Sequence, residues 1–267
     1  MTTKTAGIEV PLWGTPGETL TQHTGKRGGG KRYYTHPDSP GHKLWSSTTV
    51  LAGTMPKPAL MYWSAKVTRE AFQAELAGRI GKTLTSEQMD AAVERAKQAP
   101  RQTSDAALNL GLAAHKAIEQ LTSGVEMDIP DEIRPAIDSW QAWRKAAGID
   151  IIAQEVAVCD RVAGYAGTVD AIARSVCPVH NKTKYVVIDY KTSKAIYEEY
   201  HYQVASYAVA AERHLRQATP IPCCQPLVKG VVVRLGKETA EFEVVEVDID
   251  NAYRVFIAAN ALFQTLQ

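Results

Sequence analysis

The sequence predicts an α/β fold, a central mixed sheet flanked by helices, on three observations. Three apolar segments of strand length, at 151–158, 163–175 and 184–191, follow one another with short breaks. Apolar residues recur at helical spacing on both sides of them, at 104–121 and 198–217. The full order, helix, three strands, helix, two strands, helix, is that of a sheet covered by helices. At 267 residues the chain has enough length for a full core, in one elaborated domain or two. Composition is ordinary for a globular protein, 45% hydrophobic and 22% charged. The net charge of +1 provides no global field for a polyanion, so any such surface has to be a local basic patch.

Residues 1–45 are rich in Gly, Thr, Pro and His without sustained periodicity and read as an extended N-terminal arm. Within them Gly25-Lys26-Arg27-Gly-Gly-Gly30-Lys31-Arg32 nearly satisfies a phosphate-binding P-loop. It fails where Ser or Thr should follow the lysine, and no strand is expected before it. It therefore reads as a solvated basic loop, with a sequence-independent phosphate contact beside Tyr33 and Tyr34 as the alternative. Ser46-Ser47-Thr48-Thr49 suits a turn or cap, and Pro56 and Pro58 suit a helix start. The chain is then helical from 70 to 98, interrupted at Gly81, restarted by Thr85-Ser-Glu-Gln and ended by Pro100. The helix at 104–121 turns Leu108, Gly111, Leu112, His115, Ile118 and Glu119 to one face.

Pro130 starts a further helix that carries Trp140 and Trp143 on one face and closes at Gly148; core packing is the default for both rings, base stacking the alternative. The turn at 176–183 contains Cys177-x-x-His180, the spacing of half a zinc site. Its only possible complement is Cys223-Cys224, whose adjacency suits no common zinc pattern. After the helix at 198–217, Pro220-Ile-Pro breaks the chain. Segments 227–235 and 240–247 form a hairpin around Gly236-Lys237, and Asp248 caps a last amphipathic helix.

Charge within strands this apolar is costly unless it is paired or bound to metal. Val187, Asp189 and Lys191 share one face by the period-two rule, and Asp170 ends the run Gly167-Thr-Val on the preceding strand. Carboxylates from neighbouring strands with one lysine describe a hard-cation site beside a cationic side chain, the set that phosphodiester hydrolysis requires.

Asp170, Asp189-x-Lys191 and Gln203-x-x-x-Tyr207 in this order resemble the PD-(D/E)XK nuclease superfamily, and more narrowly its RecB-type exonuclease branch. The resemblance spans about His115 to Tyr207, with a fainter echo at 46–66. It implies a restriction-endonuclease-like core with an N-terminal helical elaboration: a single nuclease domain over 46–267, mainly helical at 46–148, with the core sheet at 149–267. It implies metal ligation of Mg²⁺ or Mn²⁺, one ion or two, by Asp170, Asp189, the backbone carbonyl of Tyr190 and His115. On its own residues His115 would read as a core histidine. Glu155 either completes the site or is a strand-edge charge. Lys191 is implied beside the attacking water, Gln203 as an orienting group and Tyr207 on the DNA backbone. Ser47, Thr48 and Lys66 line the DNA path, or serve as caps and surface charge. Lys26, Arg27, Lys31 and Arg32 are the candidate phosphate contacts.

The implied activity is a DNA exonuclease of phage type in recombination, replication or DNA processing, with a possible recombination or replication partner protein. A structure-selective endonuclease and an inactive DNA-end-binding protein are the rivals. Many members of the branch hold an iron–sulfur cluster through one early and three late cysteines; no cysteine precedes Cys159 here, so no cluster is expected. The start of the chain lacks a signal peptide's apolar core and no run reaches membrane-spanning length. This gives the expectation of reduced thiols in a cytoplasm, the host's if the chain is phage-encoded.

Overall fold

Strand β6 (Tyr165–Val176) organises the sheet. One of its edges pairs antiparallel with β5 (Asp150–Asp160) from Tyr165 to Arg174. Its other edge is shared. β4 (Ser39–Ser46) runs parallel to it at Tyr165 and Ala166, and β7 (Thr183–Lys191) runs antiparallel to it from Ala171 onward. Residues 167–170 lie between the two partners. A computed structural model describes residues 7–25, 31–176, 183–218 and 228–267. Among them nine strands form one sheet in the order β1-β2-β3-β4-β6-β7-β8-β9, with β5 on β6, where β8 is Val228–Leu235 and β9 is Phe242–Glu246.

The expected N-terminal arm is instead part of this sheet. β1 (Ile8–Pro11), β2 (Thr19–Thr24), β3 (Arg32–His36) and β4 form an antiparallel meander. Its inward residues Val10, Leu20, Tyr34 and Leu44 make a small core with Leu12, Ala157, Cys159 and Ala166. Leu12 bridges to Ala157, and the Trp13 amide donates to the Ala157 carbonyl at 2.9 Å. The strands β1-β2-β3-β4-β6-β5 therefore return on themselves as a small barrel. The basic loop does follow a strand, β2, contrary to expectation. The element after it is β3 rather than a helix, so it has no helix N-terminus to offer a phosphate. Lys26 and Arg27 lie outside the described residues, as do Cys177, His180, Cys223 and Cys224.

The chain divides into two units, residues 1–55 with 114–267, and residues 56–113, rather than one domain from residue 46. The smaller unit holds α2 (Pro58–Ala77) and the first part of α3 (Ser86–Thr122), tied by a bidentate Arg95–Glu75 pair at 2.8 Å. α3 runs through Pro100, where a helix end was expected. The proline forgoes only the hydrogen bond its missing amide would make to Ala96, and a helix of this length absorbs that loss.

In the larger unit α1 (Ser47–Thr54), α5 (Glu198–Ala218) and α6 (Ile249–Thr265) pack on the sheet. Val50, Val204, Ala208, Phe256 and Phe263 meet Tyr165, Val169, Val187 and Val232 there. Ser46 caps α1 by accepting from the Thr49 amide at 3.1 Å, and Asp248 caps α6 through Asn251. α4 (Arg134–Ala147) buries Trp140 and Trp143, whose indoles pack on Tyr190, so both are core residues and not stacking sites for bases.

Tyr207 of α5 is 3% exposed, and its ring fills the space above Gly167: a Cβ there would lie 2.1 Å from Cε1. We predict that Gly167→Ala, which forces this buried ring to move, lowers stability by about 1–3 kcal/mol in urea titration while Gly41→Ala, with open space around it, does not.

Candidate active site

The pairing of β6 with β7 ends at Ala171 and Ile188, and the next residues on the two strands are Asp170 and Asp189. In place of a ladder bond, the Tyr190 amide donates to Asp170 Oδ2 at 2.8 Å. This anchors one carboxylate oxygen and leaves Oδ1 toward His115 Nδ1, 3.5 Å away. The last turns of α3 place His115 there, its ring edge-on to Tyr190. Glu155 of β5 completes the group: its ligand atom and those of His115 and Asp170 all lie within 4.8 Å of one another. Glu155 is also the one non-glycine residue with positive φ among the described residues, at 48°, and it interrupts the β5–β6 ladder between Gln154 and Val156. A left-handed glutamate inside a strand is strained, and such strain concentrates where a side chain must be aimed.

Asp189, 1% exposed, joins a second set of contacts beside this group. Its Oδ1 accepts from Lys191 Nζ at 2.7 Å and from Gln203 Nε2 at 3.0 Å. Its Oδ2 is 2.6 Å from the same ammonium but has no aligned hydrogen-bond donor. Lys191 rests over the Tyr200 ring, 5.0 Å from its centroid. Gln203 Nε2 also reaches the Tyr207 hydroxyl at 3.1 Å. Tyr207 is therefore a buried support for Gln203, and the expectation that it touches a DNA backbone does not hold for a side chain without solvent access. Ser47 fails the same way. It is fully buried, its hydroxyl donates to the Ala166 carbonyl at 3.4 Å and it accepts from Ser206 at 2.8 Å. Thr48 is exposed at the start of α1. Lys66 lies on α2 in the smaller unit, paired with Glu70 at 3.8 Å.

The charges determine one another. Burial disfavours the imidazolium of His115, yet the Asp170 carboxylate outweighs it and holds the ring pKa up at about 9. Burial raises Asp170 too, but His115 and then Lys191 bring it below the ordinary carboxylate value. Burial first, and Asp170 second, push Glu155 up to about 7. Asp189 rises to about 6 through burial, against the pull of Lys191. Lys191 is raised, because Asp189 and Asp170 overcome its desolvation. Arg32 is among the charges that lower Glu155, which places this one residue of the basic stretch in electrostatic reach of the cluster.

Two carboxylates and an imidazole converging within a few ångströms, a buried carboxylate oxygen without a donor, and an adjoining ammonium fit a divalent cation of the hard or borderline class. Several contributors had no mark in the sequence: the φ of Glu155, and the Tyr34 hydroxyl bound to Thr168 Oγ1 at 2.9 Å beside Gln22. Tyr200 was readable, one helical turn before Gln203.

A buried carboxylate–lysine centre at the parting of two strands, on a sheet flanked by helices, defines a class of phosphodiester-cleaving proteins. The sequence profile of the PD-(D/E)XK nuclease superfamily matches residues 83–259, and the chain belongs to that superfamily. It is a nuclease by family. Similar solved structures include that titled SSO0001, at 14% identity over 74% of this chain and 87% of that one, with a TM-score of 0.28. Another is an alkaline exonuclease (LHK-Exo) from Laribacter hongkongensis, at 14% identity over 73% and 95%, with a TM-score of 0.28. No curated protein matches the chain. No described helix is long and apolar enough to cross a membrane.

His115 and Glu155 both bind a proton more tightly in the folded chain than in the unfolded one, so both favour the fold at low pH. The Glu155 contribution fades as pH rises from 4.5 to about 7, and that of His115 as pH rises from 6.5 to about 9. In EDTA, urea titration should show stability falling by about 1–3 kcal/mol between pH 6 and pH 9. Asp170→Asn, which removes the partner that holds the His115 proton, should flatten the upper part of that slope.

Proposed function

We propose that the protein is a divalent-metal-dependent deoxyribonuclease of the RecB-type exonuclease branch, hydrolysing phosphodiester bonds from DNA ends. The observation that carries this reading is the convergence of His115, Glu155 and Asp170 beside the Asp189–Lys191–Gln203 chain. The order of the motifs and a histidine on the helix upstream of them support the exonuclease branch over other members of the superfamily.

Mg²⁺ or Mn²⁺ would be held by His115, Glu155 and Asp170, with Asp189 Oδ2 and the Tyr190 carbonyl as the further oxygens. Bound there, the ion would polarise the phosphate and acidify a water. Imidazole in the set favours Mn²⁺ relative to an all-oxygen site. Lys191 keeps its proton, since two carboxylates raise its pKa. Its ammonium offsets charge developing on the phosphate, and its pair with Asp189 and its seat on Tyr200 fix it in place. Gln203 donates to Asp189 and to the Tyr207 hydroxyl, which fixes it beside the centre, where it would orient the water or the scissile phosphate. Arg32 and Thr48 are the exposed groups of the larger unit assigned to the DNA backbone.

Incubation of end-labelled linear and of circular DNA with Mn²⁺ or Mg²⁺ tests this. Release of mononucleotides or short products from linear DNA, with circles untouched, is expected. Cutting of circles would replace the exonuclease with an endonuclease, and binding without digestion would overturn the enzyme. Asp189→Ala and Lys191→Ala should each lower the rate by about 10²–10³-fold, and circular dichroism should show the fold retained.

A further inference from the structure

The outer face of the barrel's meander carries a second feature that the catalytic centre does not use. His23, Tyr33 and Trp45 lie opposite one another on β2, β3 and β4, their positions set by the strand registers His23↔Tyr33 and Tyr33↔Trp45. The His23 ring stacks on Tyr33 at 4.7 Å between centroids and 15° between planes, Tyr33 meets Trp45 edge-on at 5.8 Å, and Trp45 meets Phe263 of α6 at 5.4 Å. Lys43 Nζ stands 5.0 Å from the Tyr33 centroid and 5.6 Å from that of Trp45. Lys31 Nζ lies over Trp45 and Phe263, at 5.9 and 5.3 Å. Both lysines are exposed and the three rings are half-buried.

The charge on this face is unbalanced. Neither lysine makes an ion pair among the described residues; Lys31 donates to the Gln267 side chain and Lys43 meets only rings. The one carboxylate beside them on this face among the described residues, Glu9 of β1, accepts from Thr19 and Thr21 and lies in electrostatic reach of His23, at the end of the row away from Trp45. A row of half-buried rings, backed by Phe263 of α6 at its Trp45 end, with two exposed ammonium groups at its margin and threonines between, matches one kind of polymer: bases that stack, on a backbone that is anionic. A duplex keeps its base faces to itself and cannot use the rings.

We propose that this outer face is a stacking platform for single-stranded DNA, separate from the catalytic centre, with Tyr33 and Trp45 taking bases and Lys43 and Lys31 taking phosphates. The choice of DNA rests on the nuclease reading above, but the binding itself needs neither metal nor cleavage, and its test is run without them.

Fluorescence anisotropy in EDTA, with a labelled thymidine homopolymer about 15 nucleotides long and a duplex of equal length, reads it. The wild-type chain should bind the homopolymer more tightly than the duplex. Tyr33→Leu should weaken homopolymer binding about fivefold or more with its salt dependence unchanged, since stacking carries no counterion. Lys43→Ala, at an exposed position where the fold is not at stake, should weaken it about threefold or more and lower the slope of log affinity against log salt by about 0.7. Homopolymer binding by both variants equal to wild type would overturn the platform. So would loss of duplex and homopolymer binding in equal measure, which would mark a plain phosphate patch. A wild-type dimer in sedimentation that Tyr33→Leu dissolves, and that the homopolymer does not compete with, would assign the face to a second copy instead. Binding as expected from a chain that digests no DNA with metal would retire the nuclease reading and leave the platform standing.

Discussion

The structure depends on a vacancy in the hydrogen-bonding edge of β6. Below it β4 pairs with the strand, above it β7 does, and Asp170 stands where neither reaches. A buried backbone edge without a partner is unstable unless something satisfies it. Here the Tyr190 amide turns to the Asp170 side chain, so the same bond that repairs the edge also orients a carboxylate. The strained turn of Glu155 on the opposite edge belongs to the same local irregularity. Regular pairing through this point would deliver a stable sheet with no place for a cation.

What surrounds the gap is an exercise in mutual neutralisation. Three carboxylates, a lysine and a histidine sit largely away from water, where none is tolerable alone. The protons held by His115 and Glu155 make up part of the balance, and a metal held there would displace them. The surrounding aromatic shell is as much a part of this as the charges. Trp140 and Trp143 fix Tyr190, Tyr190 supports His115, and Tyr200 receives Lys191, so each ionic group rests on a ring whose position the core decides.

Placement was legible in the sequence where it followed a period. Asp189 and Lys191 could be placed on one face from strand alternation, Gln203 and Tyr207 on one face from a helical turn, and the β-strands 5 to 9 from their apolar runs, while the roles of these side chains came from the resemblance. The meander was not, because each of its short strands turns only one or two residues inward, such as Leu20 and Tyr34, and alternation over so few positions is lost among threonines and glycines. The DNA contacts of Ser47 and Tyr207 were carried over from the resemblance, which does not say whether a side chain reaches solvent; Ser206 and Gln203 satisfy these two inside. Pro100 was read as a stop from local chemistry alone, which cannot weigh one lost bond against a long helix on either side.

The bridge from Leu12 to Ala157, with the junction of Trp45 and Tyr165, has a consequence for how the molecule comes into being. Partners so distant in the chain cannot meet until the segment through Tyr165 has left the ribosome, and contacts of this range form slowly. The early strands must wait, unpaired, for β5 and β6, and Asp189, Lys191 and Gln203 are translated later still. A growing polypeptide therefore carries no assembled centre until the segment through Gln203 has emerged.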